Sequence, residues 1–157
     1  YVVYYKKSGA SSYTKLKTTT STSYKKSNLS DGAKYYFKVV AYKTVSGNKC
    51  LNEGKAKSVY TLKKVTGVKA AKSSSKVKIS WTNIAGESGY QISKSTKKSG
   101  TNIVATYKTT SGTYKTISAT KGKTYYYKVR AYKTITENGE TKKIYGPWSE
   151  VKAYKRS

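Results

Sequence analysis

The feature that most constrains this chain is an internal repeat. Tyr35 to Thr44 reads YYFKVVAYKT and Tyr125 to Thr134 reads YYYKVRAYKT, with eight of ten residues identical at an offset of 90. In a chain of 157 residues, a period of that length denotes two copies of one domain and not a solenoid of short units. The correspondence spreads outward. Tyr24 aligns with Tyr114, Gly32 with Gly122, Gly54 with Gly146 and Val59 with Val151, while Tyr1-Val2-Val3 aligns with Tyr90-Gln91-Ile92 after one gap. Gaps fall between apolar segments, where loops absorb them.

Strands are the predicted elements. In the second copy, apolar residues alternate at period two in Val77, Ile79 and Trp81, in Tyr90 and Ile92, and in Tyr125, Tyr127, Val129 and Ala131. Gly- and Ser-containing clusters separate these runs at Lys72–Ser75, Gly86–Gly89, Lys97–Gly100, Lys121–Lys123 and Glu137–Glu140. Leu, Ile, Val and Phe together number only 24, which with a net charge of +27 would ordinarily indicate disorder. The 18 tyrosines and 2 tryptophans change that conclusion, because tyrosine favours strands and buries its ring while its hydroxyl finds a partner. Ser and Thr, 21 of each, compete with helical backbone bonds. Seven short strands in about 90 residues, with turns at this spacing, describe an all-β sandwich.

The pattern Val77-x-Ile79-x-Trp81, Gly89-Tyr90-x-Ile92, Gly122-x-x-Tyr125-x-Tyr127-x-Val129-x-Ala131 and Gly146-x-x-Ser149 resembles a fibronectin type III domain over Val65 to Lys155. The prolines common at that family's domain entrance are replaced by Val65-Thr66-Gly67. The resemblance implies two fibronectin type III-like (immunoglobulin-like) sandwiches in tandem. Residues 1–62 form an incomplete copy that starts at the third strand, 63–64 a short join without a Gly/Ser tract, and 65–155 a complete copy. It also implies a core containing Trp81, Tyr90, Ile92, Tyr127 and Val129, and a tyrosine corner at Tyr125 and Tyr35 whose hydroxyl bonds upstream backbone. The Lys-, Ser-, Thr- and Tyr-rich style is similar to tandem modules in surface proteins of Gram-positive bacteria.

The residue inventory excludes much chemistry. Without histidine, and with one Asp, five Glu and the single Cys50, the chain supplies no Ser-His-Asp triad, Cys-His pair, His zinc site or Cys cluster. No cofactor and no catalysis are therefore expected. No apolar run reaches the length of a membrane span. Cys50 reads as an unreactive thiol in the Val45–Gly54 loop.

Charge dominates the binding reading. Thirty-three basic residues against six acids attract polyanions, yet dispersed lysines, few arginines and the absence of a nucleic-acid signature argue against specific nucleic-acid recognition. Lysines also solvate outer strand faces and guard edges. The outward parity of the late strands carries Tyr36, Lys38 and Tyr42 in one copy and Tyr126, Lys128, Arg130 and Tyr132 in the other, with Tyr4 beside the first. Such faces stack on sugar rings, or simply pair across strands.

Three functions remain open: an extracellular, secreted or wall-associated spacer among neighbouring domains; a binder of anionic wall polymer, acidic glycan or protein; and a filament or lattice subunit with strand exchange. Because counterparts of Val65–Ala71 and Val77–Trp81 are missing from the first copy, its inward residues Tyr1, Val3, Phe37, Val39 and Ala41 are expected to need cover from upstream residues or an adjacent chain.

Overall fold

A computed structural model describes residues 1–137 and 139–157. Asn138, within the expected Glu137–Glu140 turn, lies outside the described residues. The described chain is all-β and divides into two compact units, Tyr1–Thr61 and Leu62–Ser157. The division falls ahead of the expected 63–64 join, for Lys64 already forms an ion pair with Glu150 of the second unit.

The second unit is a two-sheet sandwich. One sheet contains β6 (Lys69–Ser73), β7 (Lys76–Ser80) and β10 (Tyr114–Ser118), in the order β10-β7-β6. The other contains β8 (Gly89–Ser95), β9 (Ile103–Thr109), β11 (Thr124–Glu137) and β12 (Glu140–Tyr145), in the order β12-β11-β8-β9, and β13 (Lys152–Lys155) also pairs with β11. A three-stranded sheet facing a four-stranded one, its last strand drawn in two pieces, is the β-sandwich that the fibronectin type III resemblance implies. Period-two alternation directs Val77, Ile79, Ile92, Tyr127, Val129 and Ala131 between the sheets, each fully buried. Trp81 tilts against Tyr90 with ring centroids 5.1 Å apart. Gly89 is required at the start of β8, since a Cβ there would lie 2.2 Å from the Thr109 carbonyl oxygen and 2.6 Å from the Tyr132 hydroxyl.

The last strand is interrupted where its sequence dictates. Pro147 has no N–H for the ladder. Gly146 N–H donates to the Ala131 carbonyl at 2.9 Å, and Ser149 N–H donates to the Val129 carbonyl at 2.8 Å. The buried Ser149 hydroxyl in turn accepts the Val129 N–H at 2.9 Å, so the central strand stays satisfied across the break.

The first unit is a single sheet built from β1 (Val2–Lys7), β2 (Thr14–Thr18), β3 (Lys34–Val45), β4 (Asn48–Glu53) and β5 (Lys57–Tyr60). Its order is β2-β1-β3-β4, with β5 also on β3. These strands match β9, β8, β11, β12 and β13. Residues 24–28, aligned with β10, form no strand because no counterpart of β7 lies alongside to accept their hydrogen bonds.

Two expectations need correcting. Register places Val59 opposite Tyr35 as Tyr154 lies opposite Tyr125, so Val59 corresponds to Tyr154, not Val151. The cause is the hairpin between them, where β11 runs two residues further than β3 and the return strand carries the same excess, together with one more residue in the break after β12. Cys50 stands on strand β4 opposite Lys43, exposed, and not in a loop.

Candidate functional site

The two copies use their outer sheet faces differently. In the second unit β11 directs Lys128 and Arg130 outward, and the Pro147 break turns Trp148 back over them. The Arg130 guanidinium lies 4.0 Å from the Tyr145 ring centroid and 4.3 Å from that of Trp148, while the Lys128 ammonium is 5.0 Å from Trp148. Arg130 Nε also donates to Gln91 Oε1 at 2.7 Å across the β8 pairing. Burial draws the Arg130 guanidinium below its ordinary pKa, and the facing Tyr145 opposes that shift. On the same face of β8, Ser93 and Ser95 are buried, and the Ser95 hydroxyl is bonded to the Lys97 backbone. The face is occupied by its own side chains.

Tyr132 is therefore not part of an exposed binding face, as the outward parity of its strand predicts. It is only 2% exposed, packed against Tyr145 at 5.9 Å and beneath the Lys143 ammonium at 5.1 Å. Parity sets the direction of a side chain; the β12 arm decides whether solvent reaches it. Tyr126 and Lys128 are half-buried on the same face.

In the first unit the corresponding face stays open. A groove of about 630 Å³ runs over it, lined by Val2, Tyr4, Lys38, Val40, Tyr42 and Leu51, among others. By register Lys38 takes the place of Lys128, Val40 that of Arg130 and Leu51 that of Tyr145, and the Glu53-Gly54-Lys55 stretch has no tryptophan. Lys38 is the hub. Its ammonium is 4.6 Å from the Tyr13 ring centroid, 5.6 Å from that of Tyr4, and 2.8 Å from Glu53 Oε1. Lys49 lies 5.4 Å from the exposed Tyr42 ring. Tyr36 carries the Lys34 ammonium at 5.3 Å, so the face alternates cations and rings along its length.

The corner tyrosines are buried and differ in their bonds. Tyr35 hydroxyl accepts the Ser30 N–H at 3.0 Å, an upstream backbone group. Tyr125 hydroxyl donates to the side-chain oxygen of Thr120 at 3.1 Å, and the Thr120 backbone also acts on it, so the expected upstream backbone partner is joined by a side-chain one. Hydrogen bonding to Ser30 and to Thr120 holds the respective phenols below their usual pKa.

Sequence reasoning placed a third tyrosine, Tyr90, in the core but missed what its hydroxyl bonds. Its hydroxyl accepts the buried Ile84 N–H at 2.8 Å and donates to Asn83 Oδ1 at 2.8 Å. Burial raises its pKa. Tyr127 is the opposite case: fully buried, its hydroxyl has no hydrogen-bond partner among the described residues, and desolvation pushes the phenol up to about 12. Alternation cannot separate the two, because both point inward on the same sheet. For the Trp148 stack the available signal was Pro147 followed by tryptophan within an otherwise regular strand.

Among the described residues no group of three or more His, Cys, Asp or Glu side chains is placed to hold a metal ion. No helix of the described chain is long and apolar enough to cross a membrane.

No family model matches the sequence, and no curated protein matches it. Similar solved structures include the FN1-FN3 domains of chicken CNTN1, 18% identical over 99% of this chain with a TM-score of 0.45; the chain spans 56% of that structure's length. A two fibronectin type III domain segment of chicken tenascin is 16% identical over 92% of this chain and 81% of its own, with a TM-score of 0.46.

Proposed function

We propose that this chain is a non-catalytic pair of structural modules, one complete and one open-faced, serving as a spacer within a larger extracellular or surface-attached protein. The observation that carries the reading is the closed outer face of the second unit. Lys128, Trp148, Arg130, Tyr145 and Gln91, the side chains best suited to hold a ligand, are spent on one another. Such a stack reinforces a sheet. Lysine-rich exteriors, at a net charge of +27, make separate copies of the chain repel one another.

The test is salt-dependent retention on an anionic resin. A spacer with only diffuse charge is expected to elute by about 0.2 M salt, because counterion release makes such binding steeply salt-dependent. Retention that survives higher salt and is competed by one sugar would overturn the spacer reading.

A second reading has its own support. The groove around Lys38 is open where the second unit inserts Trp148, so a flat ring has room over the equivalent cation. With Lys15, Lys38 and Lys49 against Glu53, its lining is cationic, which favours an acidic sugar polymer. This reading expects Lys38→Ala to abolish the salt-resistant fraction and Lys128→Ala to leave it intact.

A further inference from the structure

The inner face of the first unit is uncovered. Tyr1, Val3, Leu29, Phe37, Val39 and Val59 line a groove of about 600 Å³ on that side. The contrast with the second unit is direct. Val39 is 44% exposed and Tyr1 47%, whereas their counterparts Val129 and Tyr90 are buried to 0% and 1%. In the second unit the corresponding face is covered by β7 and β10, with β6 beyond, and Val77, Ile79 and Trp81 join its core. Within residues 1–61 the 21–29 stretch lies on this side, and its Tyr24–Leu29 part takes part in no strand pairing or backbone–backbone hydrogen bond, the Ser27 carbonyl accepting only from the Lys26 ammonium.

We infer that this groove is the seat of a polypeptide β-hairpin from outside residues 1–157, with apolar residues at every second position in the manner of β6 and β7. Two properties of the groove select that occupant. Its apolar floor asks for alternating side chains one sheet spacing away, about 10 Å. Its wall, the Tyr24–Leu29 backbone outside any strand ladder, leaves N–H and carbonyl groups on which a neighbouring strand can pair, and a lipid or a packed sheet face does not use them. The register follows from the other unit, where Tyr114 faces Ser80, Thr116 faces Lys78 and Ile117 faces Val77. The hairpin's inner strand therefore runs antiparallel to Tyr24–Ser27, ahead of the left-handed Asn28, its apolar residues set over Val3, Phe37 and Val39. A second copy presenting the same face fits less well, since two chains of +27 repel each other and a second copy brings one unpaired segment and not a hairpin.

The experiment follows backbone amide exchange in the full chain with and without a synthetic peptide of sequence Val65–Trp81. The expected result is slowing of about tenfold or more in Tyr24–Leu29, β1 and β3, saturating at one peptide per chain. A peptide with Val77, Ile79 and Trp81 replaced by serine is expected to give no slowing, and so is the Val39→Lys chain, whose new charge occupies an already exposed position. A tethered version, residues 62–89 joined ahead of Tyr1, covers the case of weak binding in trans. Equal protection by the serine peptide, no protection from the tethered hairpin, or protection that grows with chain concentration without any peptide would each overturn the proposal.

Discussion

Three inward tyrosines with different hydroxyl environments make this chain a direct test of what a buried phenol contributes. Tyr90→Phe leaves the buried Ile84 N–H unpaired and is expected to destabilise the second unit by about 1–3 kcal/mol. Tyr127→Phe removes a hydroxyl that has no partner, so the expected change is within about 1 kcal/mol of zero, on the stabilising side. Tyr125→Phe falls between them at about 0.5–1 kcal/mol, its partner being one threonine hydroxyl. Denaturant midpoints of the second unit's transition check the order, and a Tyr127→Phe loss as large as that of Tyr90→Phe would contradict it. Tyr127 also sets an alkaline limit. An unfolded tyrosine ionises near 10, while Tyr127 in the fold holds its proton to about 12. Between those values the folded state binds the extra proton, so this contribution is fully present below pH 10 and is lost as pH rises toward 12. A pH series of melting curves should show the slope, and Tyr127→Phe should flatten it.

At the scale of the element, pattern and partner do separate work. Alternation was readable for β7, β8 and β11, and each buries the residues that its period-two pattern selects. Tyr24–Asn28 shows where pattern stops: it aligns with β10 yet forms no strand, because strand formation depends on a neighbour's hydrogen bonds and not on the segment alone. Leu29, aligned with Ala119, carries its apolar contribution to the groove instead. The broken last strand makes a further prediction. Trp148→Ala removes two cation–π contacts, with an expected cost of about 1–2 kcal/mol to the second unit and none to the first. Thermal melting followed by the tyrosine signals of each unit would check this, and an equal loss in both would contradict it.

For the whole molecule, one repeated sequence gives two units of unequal closure, and their stabilities should differ accordingly. The second unit buries a core between two sheets, whereas the first has one sheet with an apolar face in solvent. Amides of β1 and β3 are therefore expected to exchange at least about tenfold faster than those of β8 and β11; equal protection in a monomer would contradict this difference. Much of the architecture was determined by sequence alone: the 90-residue repeat, the strand class, the inward set Trp81, Tyr90, Ile92, Tyr127 and Val129, and the outward parity of Tyr4, Tyr36, Lys38 and Tyr42. These follow from local chemistry, since a pleated strand sends alternate side chains to opposite faces whatever lies beyond it. Only the tertiary structure decided which outward faces are open. Tyr132 and Tyr42 share a parity, yet Tyr132 is covered by Tyr145 and Lys143 while Tyr42 remains on the edge of a groove, because solvent access depends on which neighbouring chain segment folds over a face. The hydroxyl partners were decided in the same way: Ile84, Asn83 and Thr120 reach their tyrosines through loop paths that strand periodicity does not encode.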